Sequence, residues 1–326
     1  MTIVRMGLCA LVALAIGGAV SAFTASGTVL SLMTQAVIYA VFASGVGLLI
    51  KQNGMVSFGH ALYFGVTGYM VAIALQLQWM PAELAILAGL AAIAVFAFII
   101  GLVIVRVPGV AFSMMTLAIG QMCYLAASRS RGITGGADGM NVDWPSTLFG
   151  VPQSVLLKPH VLFMVCWCAL VLVVLAVALV LRGRFGGVTE AVRDNEERAR
   201  FIGLRTVMPR AAIYALSATI AAFGGLLSAL NTGFVSPETL HWSVSGVALM
   251  MAVVGGYRAL WGPPLGAIVY FIFKDVLGDW AAHWMAIFGI ALITVIVCSP
   301  TGLAGALERL VRGKRGSAAA RPASVH

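Results

Sequence analysis

Charge is what this chain has least of. Asp, Glu, Lys and Arg make up 10% of its 326 residues, where a soluble domain carries about 25%. Hydrophobic residues reach 61% and the mean hydropathy is +1.02. Water does not solvate such a surface, whereas lipid does, so a soluble fold is excluded. Length alone would allow two soluble domains. The apolar runs recur almost end to end, however, and read as one membrane domain over 1–300 followed by a basic tail over 301–326. Acidic residues are scarcer still, 11 against 20 basic ones. No carboxylate stands at the centre of an apolar run, and Asp275 and Asp279 lie near run ends. A charge at the bilayer centre costs about 2.5–3.5 kcal/mol on insertion scales and is kept only where it is used. Their absence there argues against an ion-coupled carrier, the main rival class.

Other absences narrow the chemistry. The five cysteines, Cys9, Cys123, Cys166, Cys168 and Cys298, all sit in or at the ends of apolar runs. Cys166 and Cys168 fall about 200° apart on a helix, so they do not grip one ion as a metal knuckle does, and no metal site is expected. No phosphate-binding G-x-x-x-x-G-K-[ST] loop exists: Gly313-Lys314 is followed by Arg315, and position 308 is Glu. No catalytic acid pair, Ser-His-Asp arrangement or ring-forming channel filter is present. The chain reads as neither an enzyme nor a channel, and any ATP and Mg must bind to another protein. The formal charge of +9 lies in short loops between apolar runs. That pattern fits orientation in a membrane rather than binding of nucleic acid.

A helix needs about 20 apolar residues to cross the hydrocarbon core. Ten runs qualify as candidates: 6–23, 30–50, 60–79, 82–105, 110–127, 159–181, 211–231, 243–257, 260–277 and 280–298. The fold class is therefore all-α, a polytopic bundle of about ten spans. Residues 54–65 and 255–266 are Gly-interrupted and read as broken helices. Ten spans put sixteen of the 20 basic residues on one side, with only Arg129, Arg131, Lys158 and Lys274 opposite. The positive-inside rule then sets both termini in the cytoplasm. The first run also carries signal-peptide features, a basic Arg5 and Val20-Ser21-Ala22. It is read as a retained span, and the topology of the rest is the same either way.

Two polar segments stand out. Residues 128–158 form a long outer loop containing Thr134-Gly135-Gly136-Ala137-Asp138-Gly139. Residues 182–210 form an inner segment with seven arginines. There Thr189 is an N-cap candidate and Gly203 a stop, which predicts one helix over 189–202. Glu190, Arg193, Asp194 and Glu197 would lie along one face, with Ala191, Val192, Ala199 and Ile202 elsewhere. Such a helix is either a solvated connector or a surface that docks in a cleft on a partner protein. His60 is one of the few ionisable groups within a span, which makes it a pathway candidate by default; it could equally hydrogen-bond a neighbouring helix. Gly54, Gly59 and Gly65 around Ser57, with Gly256, Gly262, Pro263, Pro264 and Gly266 in the second half, mark two interrupted segments of the kind that line solute paths. Tight small-residue packing would use the same residues. Thr116, Gln121 and Tyr124 fall near one face and could bond a solute or each other.

Several of these stretches are similar to one family. Gly54-Met55-Val56-Ser57-Phe58-Gly59-His60-Ala61, then Phe64-Gly65 and Gly68-Tyr69, resemble the pattern G-x-x-S-x-G-H-A-x-x-x-G-x-G-A-Y. Thr67-Gly68 replace the usual Gly-Ala. Thr116-Leu117-Ala118-Ile119-Gly120 resembles a threonine-bearing pore helix, and residues 134–139 resemble a T-G-G-x-x-G outer loop. Residues 183–203 resemble an ATPase-coupling stretch, and Gly233-Phe234-Val235-Ser236-Pro237 a G-x-x-S-P turn. Residues 255–263 resemble G-G-x-G-S-x-x-G-P, with Arg258-Ala259 where Gly-Ser is usual. Six matches in the right order, over roughly 30–300, resemble the permease subunits of branched-chain amino acid ABC transporters, the LivM type in particular. The resemblance implies a second homologous permease, two ABC ATPase subunits, a periplasmic solute-binding protein and an inner-membrane location. It implies coupling through Glu190, Ala191, Arg193, Asp194, Glu197 and Gly203. It implies a path along Ser57, Gly59, His60, Gly65, Thr116, Gly120, Gln121, Gly256 and Gly262, and outer contacts at Gly135, Gly136, Ser236 and Pro237. Related permeases serve urea and some aromatic acids, so the solute stays open.

Overall fold

The computed structural model describes residues 3–24, 26–78, 80–107, 109–278, 286, 287, 289, 290, 293, 294, 299 and 301–309. Asp279, most of the expected run 280–298 including Cys298, and the tail from 310 onward with Arg312, Lys314, Arg315 and Arg321, lie outside the described residues. The chain begins α1 (Ile3–Phe23), α2 (Gly27–Asn53), α3 (His60–Gln76), α4 (Ala82–Ile104), α5 (Val110–Arg129). A loop region follows with α6 (Arg131–Thr134), β1 (Met140–Asn141), β2 (Thr147–Leu148), β3 (Val151–Pro152) and α7 (Gln153–Leu156). Then come α8 (Pro159–Arg182), α9 (Arg184–Asp194), α10 (Glu196–Phe201), α11 (Val207–Thr232), β4 (Phe234–Val235), α12 (Trp242–Gly255) and α13 (Gly262–Gly278). Residues 302–309 are helical as well.

Nine of the expected apolar runs are helices. Six of them, α1, α2, α4, α5, α8 and α11, are long and apolar enough to cross a membrane. At 1.5 Å per residue, the 14 residues of α12 reach about 21 Å, short of a hydrocarbon core of about 30 Å. The 17 residues of α3 and of α13 reach about 25 Å. Each of these short helices adjoins one of the Gly-interrupted segments.

α2 and α11 form the spine, and most of their residues are buried. They touch through small residues. A methyl group on Gly45 would press on the Ser217 carbonyl, and one on Gly224 would meet the Phe42 backbone at 3.3 Å. In lipid the helices gain no hydrophobic drive from pairing, so close backbone contact supplies the attraction. α1 lies on α8, where Trp167 Nε1 donates to the Ala13 carbonyl (2.8 Å) and His160 Nδ1 lies 3.0 Å from the Ser21 carbonyl. By contrast α4, α5 and α8 bury one stripe each and leave apolar faces open. Cys166 is buried and Cys168 exposed, as their spacing predicts.

The loops sort to two ends of the bundle. At one end β1 pairs antiparallel with β4, Gln76 donates to the Asn141 carbonyl, and the Phe149 amide donates to Glu83. At the other end α9 and α10 sit against the terminus of α2 and the start of α11, and the 256–261 turn meets Thr301. This sorting has the parity that the charge pattern predicts.

Candidate functional site

The first interrupted segment lies between α2 and α3. α2 ends on Gly54 in the left-handed region, and residues 54–59 run without helical bonds. Inside a membrane such backbone survives only where protein satisfies it. Two side chains of α5 do so, and a third, on α12, satisfies an amide in the first turn of α3. Ser113 donates to the Val56 carbonyl (2.6 Å), Thr116 Oγ1 accepts from the Phe58 amide (3.3 Å), and Ser245 Oγ accepts from the Ala61 amide (2.7 Å). Gly59 presses on the Thr116 backbone where a side chain would collide, and Gly120 packs one turn further along α5. Ser57, Gly59, His60, Thr116 and Gly120 are thus one cluster.

His60 is wholly buried, and both its ring nitrogens are engaged. Ser217 Oγ donates to the Gly45 carbonyl (2.6 Å), so its oxygen accepts from His60 Nε2 at 2.7 Å. That fixes the Nε2–H tautomer. Nδ1 then accepts from Ser57 Oγ at 2.8 Å, and Ser57 in turn accepts the Gly59 amide at 3.2 Å. The chain of bonds links α2, α11, α3 and the 54–59 segment. Tyr63 and Tyr214, whose hydroxyls are 2.9 Å apart, box the imidazole edge-on. In this conformation His60 presents no free nitrogen to a solute; it clasps helices. Of the remaining path candidates, Gln121 is half-buried with its Oε1 unpartnered. Gly65 lies apart, against Leu240 and Thr239. Gly256 and Gly262 meet each other at the second interruption, with Gly255 and Gly266 completing the close approach of α12 and α13.

The outer candidates also converge. Gly135, Gly136 and Gly139 all have positive φ, at 75°, 66° and 71°, which is why this turn is built of glycine. Gly139 abuts the Val235 carbonyl, and β1–β4 pairing joins residues 134–139 to the Ser236-Pro237 turn. Gly136 and Pro237 are buried while Gly135 and Ser236 are half-buried. These residues shape the surface, and Asp138, Phe234 and Glu238 form its exposed part.

At the other end the expected single helix over 189–202 is two helices. The first begins at Arg184, so Thr189 is not an N-cap. It lies mid-helix and buried, its hydroxyl 2.7 Å from Gln52 Oε1. Asn195 breaks the run because its side chain caps α10, accepting from the Arg198 amide at 2.9 Å. Glu197 therefore lies on a different helix from Glu190, Ala191, Arg193 and Asp194. Gly203 stops α10 with φ of 83°. This elbow is strapped to the bundle. Arg193 donates to the Lys51 carbonyl at the end of α2 and pairs with Asp194 at 2.7 Å. Glu196 binds the buried Arg210 of α11, Arg200 (2.7 Å) and the Thr206 hydroxyl (3.0 Å). Burial would raise the Glu196 pKa, but the hydrogen bonds from Thr206 and Arg210 and the charges of Arg210 and Arg200 together hold it below the ordinary carboxylate value. Facing outward are Glu190, Ala191, Asp194, Glu197 and Arg198, with Phe201 and Ile202 at 90% and 75% exposure. Sequence reasoning missed Glu196 and Arg210 as the strap. The Glu196–Arg200 spacing of four was visible in the sequence; the reach to Arg210 was not. Among the described residues no group of His, Cys, Asp and Glu is placed to hold a metal.

A bundle with two interrupted segments and a charged elbow strapped to its spine is the architecture of a polytopic membrane transport subunit. The family described as branched-chain amino acid transport system / permease component matches residues 28–297. The chain belongs to that family and is a membrane permease subunit. It is 26% identical to the high-affinity branched-chain amino acid transport system permease protein LivM of Escherichia coli, over 94% of this chain and 77% of the relative. Identity to the LivM protein of Salmonella typhimurium is also 26%, over 87% and 72%. A shorter match, 32% identical over 46% of this chain and 45% of the relative, is to the autoinducer 2 import system permease protein LsrC of Salmonella paratyphi B. No solved structure matches the chain.

Proposed function

We propose that this chain carries a branched-chain amino acid or closely related small solute across the inner membrane, as one of two homologous permeases driven by two separate ATPase subunits. ATP and Mg sit on those subunits, and the chain itself catalyses nothing. A periplasmic solute-binding protein delivers solute to the surface around Asp138 and Glu238. Ten crossings place both termini in the cytoplasm, with α3, α12 and α13 crossing together with the interrupted segments beside them. The long match to two LivM proteins supports the amino-acid reading over the shorter match to LsrC.

The observation that carries the proposal is the elbow. A solvated connector needs no straps, yet Arg193 and Glu196 tie α9 and α10 to both helices of the spine. A large apolar pair, Phe201 and Ile202, is left bare at its tip. Force applied there reaches α2 and α11 directly. The test is reconstitution in proteoliposomes with the ATPases, the second permease and the binding protein, reading leucine uptake. ATP-dependent uptake is expected, with a loss of at least tenfold when Phe201→Asp and Ile202→Asp are combined in a chain that still inserts. Uptake that follows an ion gradient and ignores ATP would overturn the reading.

A further inference from the structure

Lys51 and Arg258 come from opposite halves of the chain yet line one cavity of about 750 Å³ at the elbow end. Small-molecule sites run from about 300 to 1,000 Å³. The cavity opens beneath both interrupted segments at once, since Gly54 and Val56 belong to the first and Tyr257 and Arg258 to the second. Its charges are unequally used. The Arg193 guanidinium is taken by Asp194 and the Lys51 carbonyl. Among the described residues the Lys51 ammonium and the Arg258 guanidinium have no ion-pair partner. Glu190, on the same wall, makes a loose 3.9 Å contact with Arg193 and lies near enough to Lys51 to attract it across the cavity. Ile50, Val56 and Val253 supply an apolar wall. Two cations without a close ion pair, one loosely held carboxylate and an aliphatic surface around one small volume complement a molecule that bears a carboxylate, an ammonium and an aliphatic side chain.

We infer that this cavity is an exit site for a free aliphatic α-amino acid, whose carboxylate binds Lys51 and Arg258 while its ammonium faces Glu190. The inference rests on the permease reading above and deepens it. A neutral solute such as urea would bring no carboxylate to the two cations, and an aromatic acid without an amine would bring no cation to Glu190. Direct salt-bridging hydrogen bonds to a carboxylate are the strong kind, so losing both cations carries a large penalty. An acidic lipid headgroup would share the carboxylate's attraction to cations, but it has no use for Glu190 or for the aliphatic wall.

The test uses the complete transporter in nanodiscs, without nucleotide or binding protein, and measures equilibrium binding of radiolabelled leucine. The double variant Lys51→Gln/Arg258→Gln should bind leucine at least tenfold more weakly. Leucinamide, which lacks the carboxylate, should compete poorly in the unmodified transporter and no worse in the variant. Arg258→Lys, which keeps the charge, should retain most of the binding and controls for folding. Leucine binding unchanged in the double variant would overturn the site. So would absent binding in an unmodified transporter that still takes up leucine with ATP, in which case the permease function stands and only this site falls. A defect seen with phosphatidylglycerol present but gone in pure phosphatidylcholine would assign the cations to a lipid headgroup instead.

Discussion

A histidine in a membrane span invites a role in transport, and at His60 the hydrogen-bond arithmetic points elsewhere. The imidazole has one donor and one acceptor, and Ser217 and Ser57 consume both. Nothing remains for a solute unless the clasp opens. In exchange the ring ties the break after α2 to α11, and so holds a non-helical segment inside the bundle. Interhelical hydrogen bonds in membranes average about 0.6 kcal/mol and reach about 1.7, while an orphaned buried group costs about 1–3 kcal/mol. Ser217→Ala should therefore destabilise the chain by about 1 kcal/mol, and His60→Ala by more, since it takes a bond from each of two buried hydroxyls and empties a packed site. Thermal unfolding in detergent reads the loss, and uptake kinetics read the alternative. The expected pattern is a lowered midpoint with KM for solute unmoved. A shifted KM with an unmoved midpoint would return His60 to the pathway. The residue itself was visible in the sequence as an ionisable group among glycines, but its partners stand 157 positions away at Ser217 and three away at Ser57. No local pattern distinguishes a ligand from a clasp.

At the scale of elements the elbow combines a rigid mount with a bare tip. Its mount depends on the Glu196 carboxylate being ionised, and that group's pKa is lowered by its partners. A depressed folded pKa means the strap contributes fully above the ordinary glutamate value of about 4.3 and is lost as pH falls through the lower folded value. Hydrogen exchange over α9 and α10, corrected for intrinsic rates, should thus be unchanged between neutral pH and about 5 and rise below about 4. Glu196→Gln should exchange fast at every pH. An elbow equally protected at pH 3 and 7 would show that the strap does not hold it. The elements themselves were largely legible: apolar runs give the helices, and Gly203 and Pro209 mark the end of α10 and the first turn of α11. The single helix expected over 189–202 runs through Asn195, which offers both helix continuation and an N-cap, and the cap won. The start at Arg184 was missed because Gly186 and Gly187 weaken helix propensity. Contact overrides that weakness, since Gly186 packs so tightly on the Leu181 carbonyl that a side chain would not fit.

The whole molecule is polarised, and that polarity was the most legible feature of all, because charge sorts by side without regard to fold detail. Lys51, the elbow arginines, Arg258 and Arg309 gather toward one end, while Arg129, Arg131 and Lys158 adjoin the loop region joined by β1 and β4. What composition does not convey is depth. Non-helical backbone at the two interruptions lets 14- and 17-residue helices serve in a bundle whose other members run to 20 residues and more. If the surplus of cations faces the cytoplasm, as the rule for short loops requires, then Glu197 and Asp138 lie on opposite sides of the bilayer. In a chain whose native cysteines are replaced by serine, Asp138→Cys should react with a membrane-impermeant maleimide in intact spheroplasts. Glu197→Cys should react only after permeabilisation. The reverse labelling would put the elbow in the periplasm, out of reach of any ATPase, and the parity shared by charge and fold would then have to come from something other than insertion.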